Sequence, residues 1–458
     1  ATLDWIAAQD WSDGQVATLG CSALGESQAV LATSDHPAHA AMVPIGAGGA
    51  IGTLGGAFGF FGMYEGGVPA LAIASGWFAR LGGKTAERMG VGPLPDLAHL
   101  PLRGVVAAIR DDPTDFEAHL DGLTDPAFWR AAGYIAEGAA TGVPALWLDG
   151  WFDPNVHNTL RLAAGLGGPA RVVIGPGQHC ELGETFAAGQ VGDVPVSGPD
   201  PRLVETIAAF LDHRLRGGPA PDLPPYRVWM MRADRWLDAQ SWPPAAAVSR
   251  RLALEGDALV PAEAATGAAP RAILSDPADP VPSLGGPICC TGALDIAPGP
   301  RDQSPIEGRA DLLVYTSAPL EAPLEIAGPV TARLRVSVDA PDADLVVRLT
   351  EVDDAGRSVA ITEGALRLRY RDGVDRPALL EPGEVVTAAV DLRDIAWRVA
   401  AGHRLRLHVA GSSFPRLARN MQGGGDPHLE TEPTQARITV HADPSAPSVL
   451  RLHALPTE

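Results

Sequence analysis

Gly20-Cys21-Ser22-Ala23-Leu24-Gly25 lies between a short apolar run, Gln15 to Leu19, and a helix-forming run from Glu26 to Ala32. A serine at a strand-to-helix turn is held with its hydroxyl above the end of the sheet. The amides that open the following helix face charge developing on an attacked carbonyl oxygen, so the backbone N–H of Ala23 is the candidate oxyanion donor. A serine hydroxyl is a weak nucleophile near neutral pH and needs a base. Two other segments supply one. Gly150-Trp151-Phe152-Asp153 follows the apolar strand pattern Pro144 to Leu148, and Gly175-Pro176-Gly177-Gln178-His179 follows Arg171 to Ile174. Both loops stand at strand C-termini, where α/β proteins build their sites. In this reading His179 takes the Ser22 proton and Asp153 orients the imidazole. Taken singly, Ser22 reads as a helix N-cap, Asp153 as a turn residue and His179 as a loop histidine. The chain order Ser, Asp, His at three strand ends favours an acyl-transfer triad.

The elements that must position these residues are a parallel sheet with helices. The long interval between Ser22 and Asp153 leaves room for an insertion, and the short one before His179 fits a single α/β unit. Helical stretches are expected around Leu71 to Leu81, Leu102 to Arg110 and Phe128 to Glu137, which reads as an inserted helical cap. Within it Trp77 and Trp129 are candidate substrate-lining residues, as are Trp151 and Phe152 beside the aspartate. Gly46 to Gly67 reads as a glycine-rich connection, because the spacing and context of a dinucleotide loop are missing. Leu203, Ile207, Leu211 and Leu215 recur every four residues and stop at Gly217, an amphipathic helix. After a proline-rich linker, residues 219–225, the code changes. Val330 to Val338, Leu366 to Tyr370 and Leu405 to Val409 alternate apolar with polar residues, as antiparallel strands of a sandwich do. The expected organisation is α/β-hydrolase residues 1–55, cap 56–139, α/β-hydrolase 140–222 and β-sandwich 223–458.

Composition narrows the partners. The 458 residues carry a net charge of −20, which disfavours nucleic acid and anionic membrane surfaces. No run is apolar and long enough to span a bilayer. The four cysteines, Cys21, Cys180, Cys289 and Cys290, show no zinc spacing, so neither metal nor cofactor is expected. Cys21 and Cys180 flank Ser22 and His179. They read as small buried thiols, with a disulfide or redox switch across the site as the alternative, and Cys289-Cys290 reads as buried loop packing. Asp339, Asp342 and Asp344 read as a solvated turn rather than a calcium loop, and His36 and His39 as surface residues. The cellular compartment stays open, with the cytoplasm favoured and secretion as the alternative.

These motifs resemble the CocE/NonD hydrolases, a family that includes esterases, α-amino-acid ester hydrolases and glutaryl-cephalosporin acylases. Gly20 to Gly25 matches its elbow, Gly150 to Asp153 its G-W-[YF]-D and Gly175 to His179 its G-P-x-x-H. Phe210 to Gly217, Asp276 to Gly286, Gly402-His403-Arg404 and Ser412 to Arg416 match later family segments. The resemblance implies a small-molecule ester or amide substrate, a cap over the site and a C-terminal jelly roll. Acyl transfer with the same triad, or a catalytically weak binding protein on this fold, are the alternative readings. Ala23 stands where the family usually has an aromatic residue. The family also carries early sheet strands, and a tyrosine oxyanion donor, ahead of the elbow. The resemblance therefore implies a further segment, cleaved but retained or supplied as another chain, pairing with the strand at Val16. A second copy of the chain is the other macromolecular partner left open.

Overall fold

The computed structural model describes residues 1–54, 63–84, 94–122, 125–181, 183–290 and 296–456. The chain divides into two compact units, residues 1–62 with 127–245 and residues 63–126 with 246–458. The first holds a six-stranded sheet. Its strands are β1 (Val16–Cys21), β2 (His39–Ile45), β3 (Ala145–Gly150), β4 (Ala170–Gly175), β5 (Tyr226–Met230) and β6 (Arg235–Ala239), side by side in that order. The first five run parallel and β6 turns back antiparallel to β5. Every residue of β3 is buried, as expected of a strand covered on both faces. Helix α1 (Thr2–Ala7) precedes β1, α2 (Ala23–Ala32) follows it, and α3 (Val156–Gly165) links β3 to β4. Helix α4 (Leu203–Arg216) lays Leu203, Ile207 and Phe210 against Val43, Ile45, Leu146, Leu148 and Val173. It ends at Gly217, whose φ of 71° is a left-handed C-cap.

β5 and β6 move the predicted boundary. The proline-rich stretch 219–225 is not the end of the hydrolase unit, because Tyr226 to Val228 pair in parallel with Val172 to Ile174. β2 was not foreseen. Its sequence is rich in alanine and contains Pro44, which blurs the strand signal. β1 lies at the outer position of this sheet, hydrogen-bonded to β2.

Among the described residues, the second unit holds a β-sandwich whose eleven strands join in one hydrogen-bonded network. The alternating runs form strands Leu324–Val338 and Arg404–Ala410, as expected. The run at Leu366 does not continue to Tyr370: the strand Ser358–Arg367 ends there and Leu368–Tyr370 turns as a 3₁₀ helix. The segment read as a helical cap is split between the units and is less helical than expected. Leu71–Arg80 is a full helix, but Leu102–Gly104 is a single 3₁₀ turn, and Pro126–Ala131 is a short helix whose residues 127–131 fall in the first unit. The hairpin Tyr64 to Pro69 and the helix after it pack on the sandwich through Val68, Ala70 and Ile73 against Val346, Ala365 and Leu417. Glu65 pairs with Arg393 and Arg416 there. Part of the glycine-rich stretch 46–67 falls outside the described residues.

Asp342 and Asp344 are not in a solvated turn. Both are buried, Asp344 bidentate to Arg367 at 2.8 and 2.9 Å and Asp342 bound to Arg369 at 2.6 Å. Asn420 bridges the two carboxylates. A buried carboxylate requires such partners. His39 is likewise buried rather than superficial, its Nε2 3.0 Å from Thr18 Oγ1, while His36 is partly exposed and contacts Asp4.

Candidate active site

Four neighbouring parallel strands deliver four loops to one edge of the sheet. Register pairs Cys21 with Ile45 and Gly150 with Gly175, so the loops leave at matching heights. Ser22 follows β1, Gly46 follows β2, Asp153 lies three residues beyond β3 and His179 four beyond β4.

Ser22 has φ 57° and ψ −128°, left-handed backbone that a non-glycine residue adopts only under constraint. Its N–H donates to the Ile45 carbonyl at 2.8 Å, and its own carbonyl accepts from Gly25 and Glu26 at 2.7 and 2.8 Å. The flanking glycines are sterically obligatory. A Cβ on Gly20 would lie 2.5 Å from the Leu24 Cβ, and one on Gly25 would meet Ala47 and two carbonyls at 2.9–3.0 Å. Ala23 is exposed and opens α2, where a backbone N–H has no partner inside the helix.

The aspartate and histidine loops interlock. Trp151 and Phe152 donate from their backbone to the carbonyls of Gly175 and Gly177, each at 3.0 Å. A side chain on Gly150 would collide with the Gly177 carbonyl at 2.3 Å, which explains the glycine that opens the aspartate motif. Asp153 is fully buried. Its Oδ1 accepts from the Asn155 N–H at 2.6 Å, and its Oδ2 lies 2.5 Å from His179 Nδ1. The other imidazole nitrogen, Nε2, is buried and has no hydrogen-bond partner among the described residues.

The electrostatics separate two carboxyls. Burial pushes Asp149 well above the ordinary carboxylate range, with the Asp153 charge adding to the shift. It accepts from the Gly150 N–H at 2.8 Å and from Thr159 Oγ1 at 2.5 Å. Burial also opposes charge on Asp153, but His179 and its hydrogen bonds outweigh that and hold Asp153 below its usual value. Burial works against the His179 cation too. The Asp153 charge and hydrogen bond prevail, with a smaller contribution from Glu26, and His179 titrates above an ordinary histidine.

Sequence reasoning missed two residues here. A Cβ on Gly46, whose φ is 56°, would sit 3.0 Å from His179 Nδ1 and 3.1 Å from Asp153 Oδ2, so this glycine is the floor beneath the pair. Glu26, one turn beyond Ser22, is half-buried. Burial raises its carboxyl to about 8, with His179 pulling it down and Asp153 pushing it up. Neither has a local motif, since their positions depend on strand order. Cys21 and Cys180 are joined as a disulfide, Cα to Cα 5.7 Å, which corrects the expectation of free thiols there, and Cys289 is bonded to Cys290, a partly exposed pair rather than buried loop packing.

The aromatic candidates are scattered. Trp151 is buried and its indole N–H donates to the Trp229 carbonyl at 2.7 Å. Phe152 is buried beside it in sequence, and Trp129 packs edge-on against Tyr134. Trp77 belongs to the second unit, edge-on to Phe78. Among the described residues, no helix is long and apolar enough to cross a membrane.

Residues 1–181 match the X-Pro dipeptidyl-peptidase family S15, and residues 220–451 match the X-Pro dipeptidyl-peptidase C-terminal non-catalytic domain. Over 98% of its length the chain is 31% identical to cocaine esterase of Rhodococcus sp. (strain MB1 Bresler), spanning 82% of that protein. An α-amino-acid ester hydrolase structure superposes with a TM-score of 0.81 at 23% identity, over 99% of this chain and 79% of the other. A CocE/NonD hydrolase from Staphylococcus aureus superposes at 0.69 and 16% identity, over 99% and 74%. The fold is that of an α/β-hydrolase followed by a β-sandwich, and the protein is a serine ester or amide hydrolase. The chain belongs to the CocE/NonD family.

Proposed function

We propose that this enzyme hydrolyses a small-molecule ester or amide through an acyl-enzyme on Ser22. The observation that carries the reading is the buried Asp153–His179 pair, which leaves Nε2 without a partner among the described residues at the sheet edge where Ser22, with left-handed backbone, follows β1. Nε2 takes the hydroxyl proton as Oγ bonds to the substrate carbonyl carbon. The carbonyl oxygen becomes an oxyanion, and the Ala23 N–H at the start of α2 donates to it. When the tetrahedral adduct collapses, the imidazolium returns its proton to the departing alcohol or amine. Water then repeats the sequence on the acyl-serine and releases the acid. Asp153 keeps the proton-bearing Nδ1 fixed and balances the transient cation. Ester cleavage as the preferred chemistry is supported by the likeness to an esterase over nearly the whole chain.

A fluorophosphonate probe tests the reading, with the modified peptide mapped by mass spectrometry. Label on Ser22, abolished in Ser22→Ala together with a loss of turnover of about 10⁶-fold on a cleaved p-nitrophenyl ester, is the expected result. Label elsewhere, or near-full turnover in Ser22→Ala, refutes it.

A further inference from the structure

The Cys21–Cys180 disulfide joins the residue immediately before Ser22 to the residue immediately after His179, across 159 positions of sequence. The two loops it connects are not on adjacent strands, because β2 and β3 lie between β1 and β4. The backbone is left-handed at Cys180 itself, φ 66°, and at Ser22, the residue after Cys21, φ 57°. Hydrogen bonds tie the histidine loop to its neighbour at Gly175 and Gly177, before the histidine. Beyond it, Cys180 joins the loop covalently to Cys21 at the end of β1. We infer that Cys21 and Cys180 are positioning residues, and that their disulfide sets the reach of His179 to Ser22 so that turnover depends on its oxidation. This rests on the triad reading given above.

The consequence is a two-electron dependence. A dithiol reductant attacks one sulfur of the pair as thiolate and forms a mixed disulfide with it. The reductant's second thiol then displaces that sulfur, leaving Cys21 and Cys180 as thiols and the reductant as its cyclic disulfide. Freed of the link, the His179 loop no longer holds its distance from Ser22, and misplacement of a base on the ångström scale costs about 10²-fold in rate. Substrate binding need not change, so the loss falls on kcat rather than KM.

The test uses the full chain carrying Cys289→Ser and Cys290→Ser, so that one disulfide remains. The reference is this variant before reduction, with its Cys21–Cys180 linkage verified by peptide mapping. It is then reduced with dithiothreitol, and kcat, KM, the pH profile and the rate of fluorophosphonate labelling are compared. The expected result is a fall in kcat of about 10–100-fold with KM within about twofold. The acid limb should keep its position, because His179 stays bonded to Asp153, and activity should return on reoxidation. A Cys21→Ala/Cys180→Ala variant should show the reduced-state kcat in either condition. Unchanged kcat after verified reduction overturns the inference. So does a loss explained by unfolding, seen as lost far-UV ellipticity at the assay temperature, and so does active enzyme whose peptide map shows both cysteines free. Oxidised protein that never labels at Ser22 overturns the triad reading itself.

Discussion

Gly46→Ala is the sharpest test of how the base is held. The substitution adds one methyl group at a residue outside every recognisable motif. Two costs follow from the structure. The left-handed backbone, φ 56°, disfavours any Cβ by about 1–2 kcal/mol. The new carbon would also lie 3.0 Å from His179 Nδ1 and 3.1 Å from Asp153 Oδ2, closer to both than ordinary van der Waals contact. It is a wedge against the two atoms of a 2.5 Å hydrogen bond, and either the bond lengthens or the imidazole turns. Full loss of the aspartate's function costs about 10⁴-fold in a serine protease, which bounds the effect from above. A displacement of a few tenths of an ångström should cost about 10–100-fold in kcat, equivalent to about 1.4–2.8 kcal/mol. Gly189 provides the control. Its φ is 71° and a Cβ there meets nothing within 4 Å, so Gly189→Ala carries the strain without the wedge. Steady-state ester hydrolysis and urea unfolding of both variants separate the two costs. Similar stability losses with a kcat loss confined to Gly46→Ala are expected. If Gly46→Ala keeps kcat within about threefold of the parent, the wedge reasoning is refuted.

The pH profile of kcat/KM should have an acid limb above the ordinary histidine value, since His179 is raised and must be neutral to accept a proton. Asp153→Asn should lower kcat by about 10⁴-fold and move that limb down. Glu26 has its carboxyl raised from 4.5 to about 8, so between those values the unfolded chain loses a proton that the folded chain keeps. Stability therefore falls as pH rises through that window. Glu26→Gln should melt higher than the parent at pH near 9 and equally near pH 4; equal melting at both would contradict the burial of this group. Asp344→Asn leaves the Arg367 guanidinium buried without its counter-charge, and chemical denaturation should show a loss of about 3–5 kcal/mol.

The elbow, the aspartate loop and the histidine loop were legible because each is a local pattern: a strand, a glycine that permits close approach, then the polar residue. Gly150 illustrates this, since its reason is the Gly177 carbonyl one strand away, yet the glycine itself is visible in sequence. Gly46 looked like part of a glycine-rich connection because its partners, Asp153 and His179, come from the distant chain. Cys21 and Cys180 needed the strand order before a bond between them could be drawn. Asp342 and Asp344 read as solvated because the residues that neutralise them, Arg369 and Arg367, stand on the far side of a hairpin. β2 was hidden by Pro44, and β5 by the prolines before it, where composition imitates a linker while hydrogen bonding continues the sheet.

The interleaving of the two units bears on how the chain comes off the ribosome. Residues 63–126 emerge between the two stretches of the hydrolase unit, but they belong with a sandwich that begins at residue 246. Val68, Ala70 and Ile73 pack against Val346, Ala365 and Leu417. At about 5–20 residues per second, Leu417 follows Val68 by roughly 20–70 seconds. Throughout that interval an apolar hairpin and helix are without their cover, a target for chaperones and a nucleus for aggregation. A chain cut after residue 245 would make that exposure permanent. A hydrolase unit expressed without the sandwich is therefore expected to need a short polar loop in place of residues 63–126.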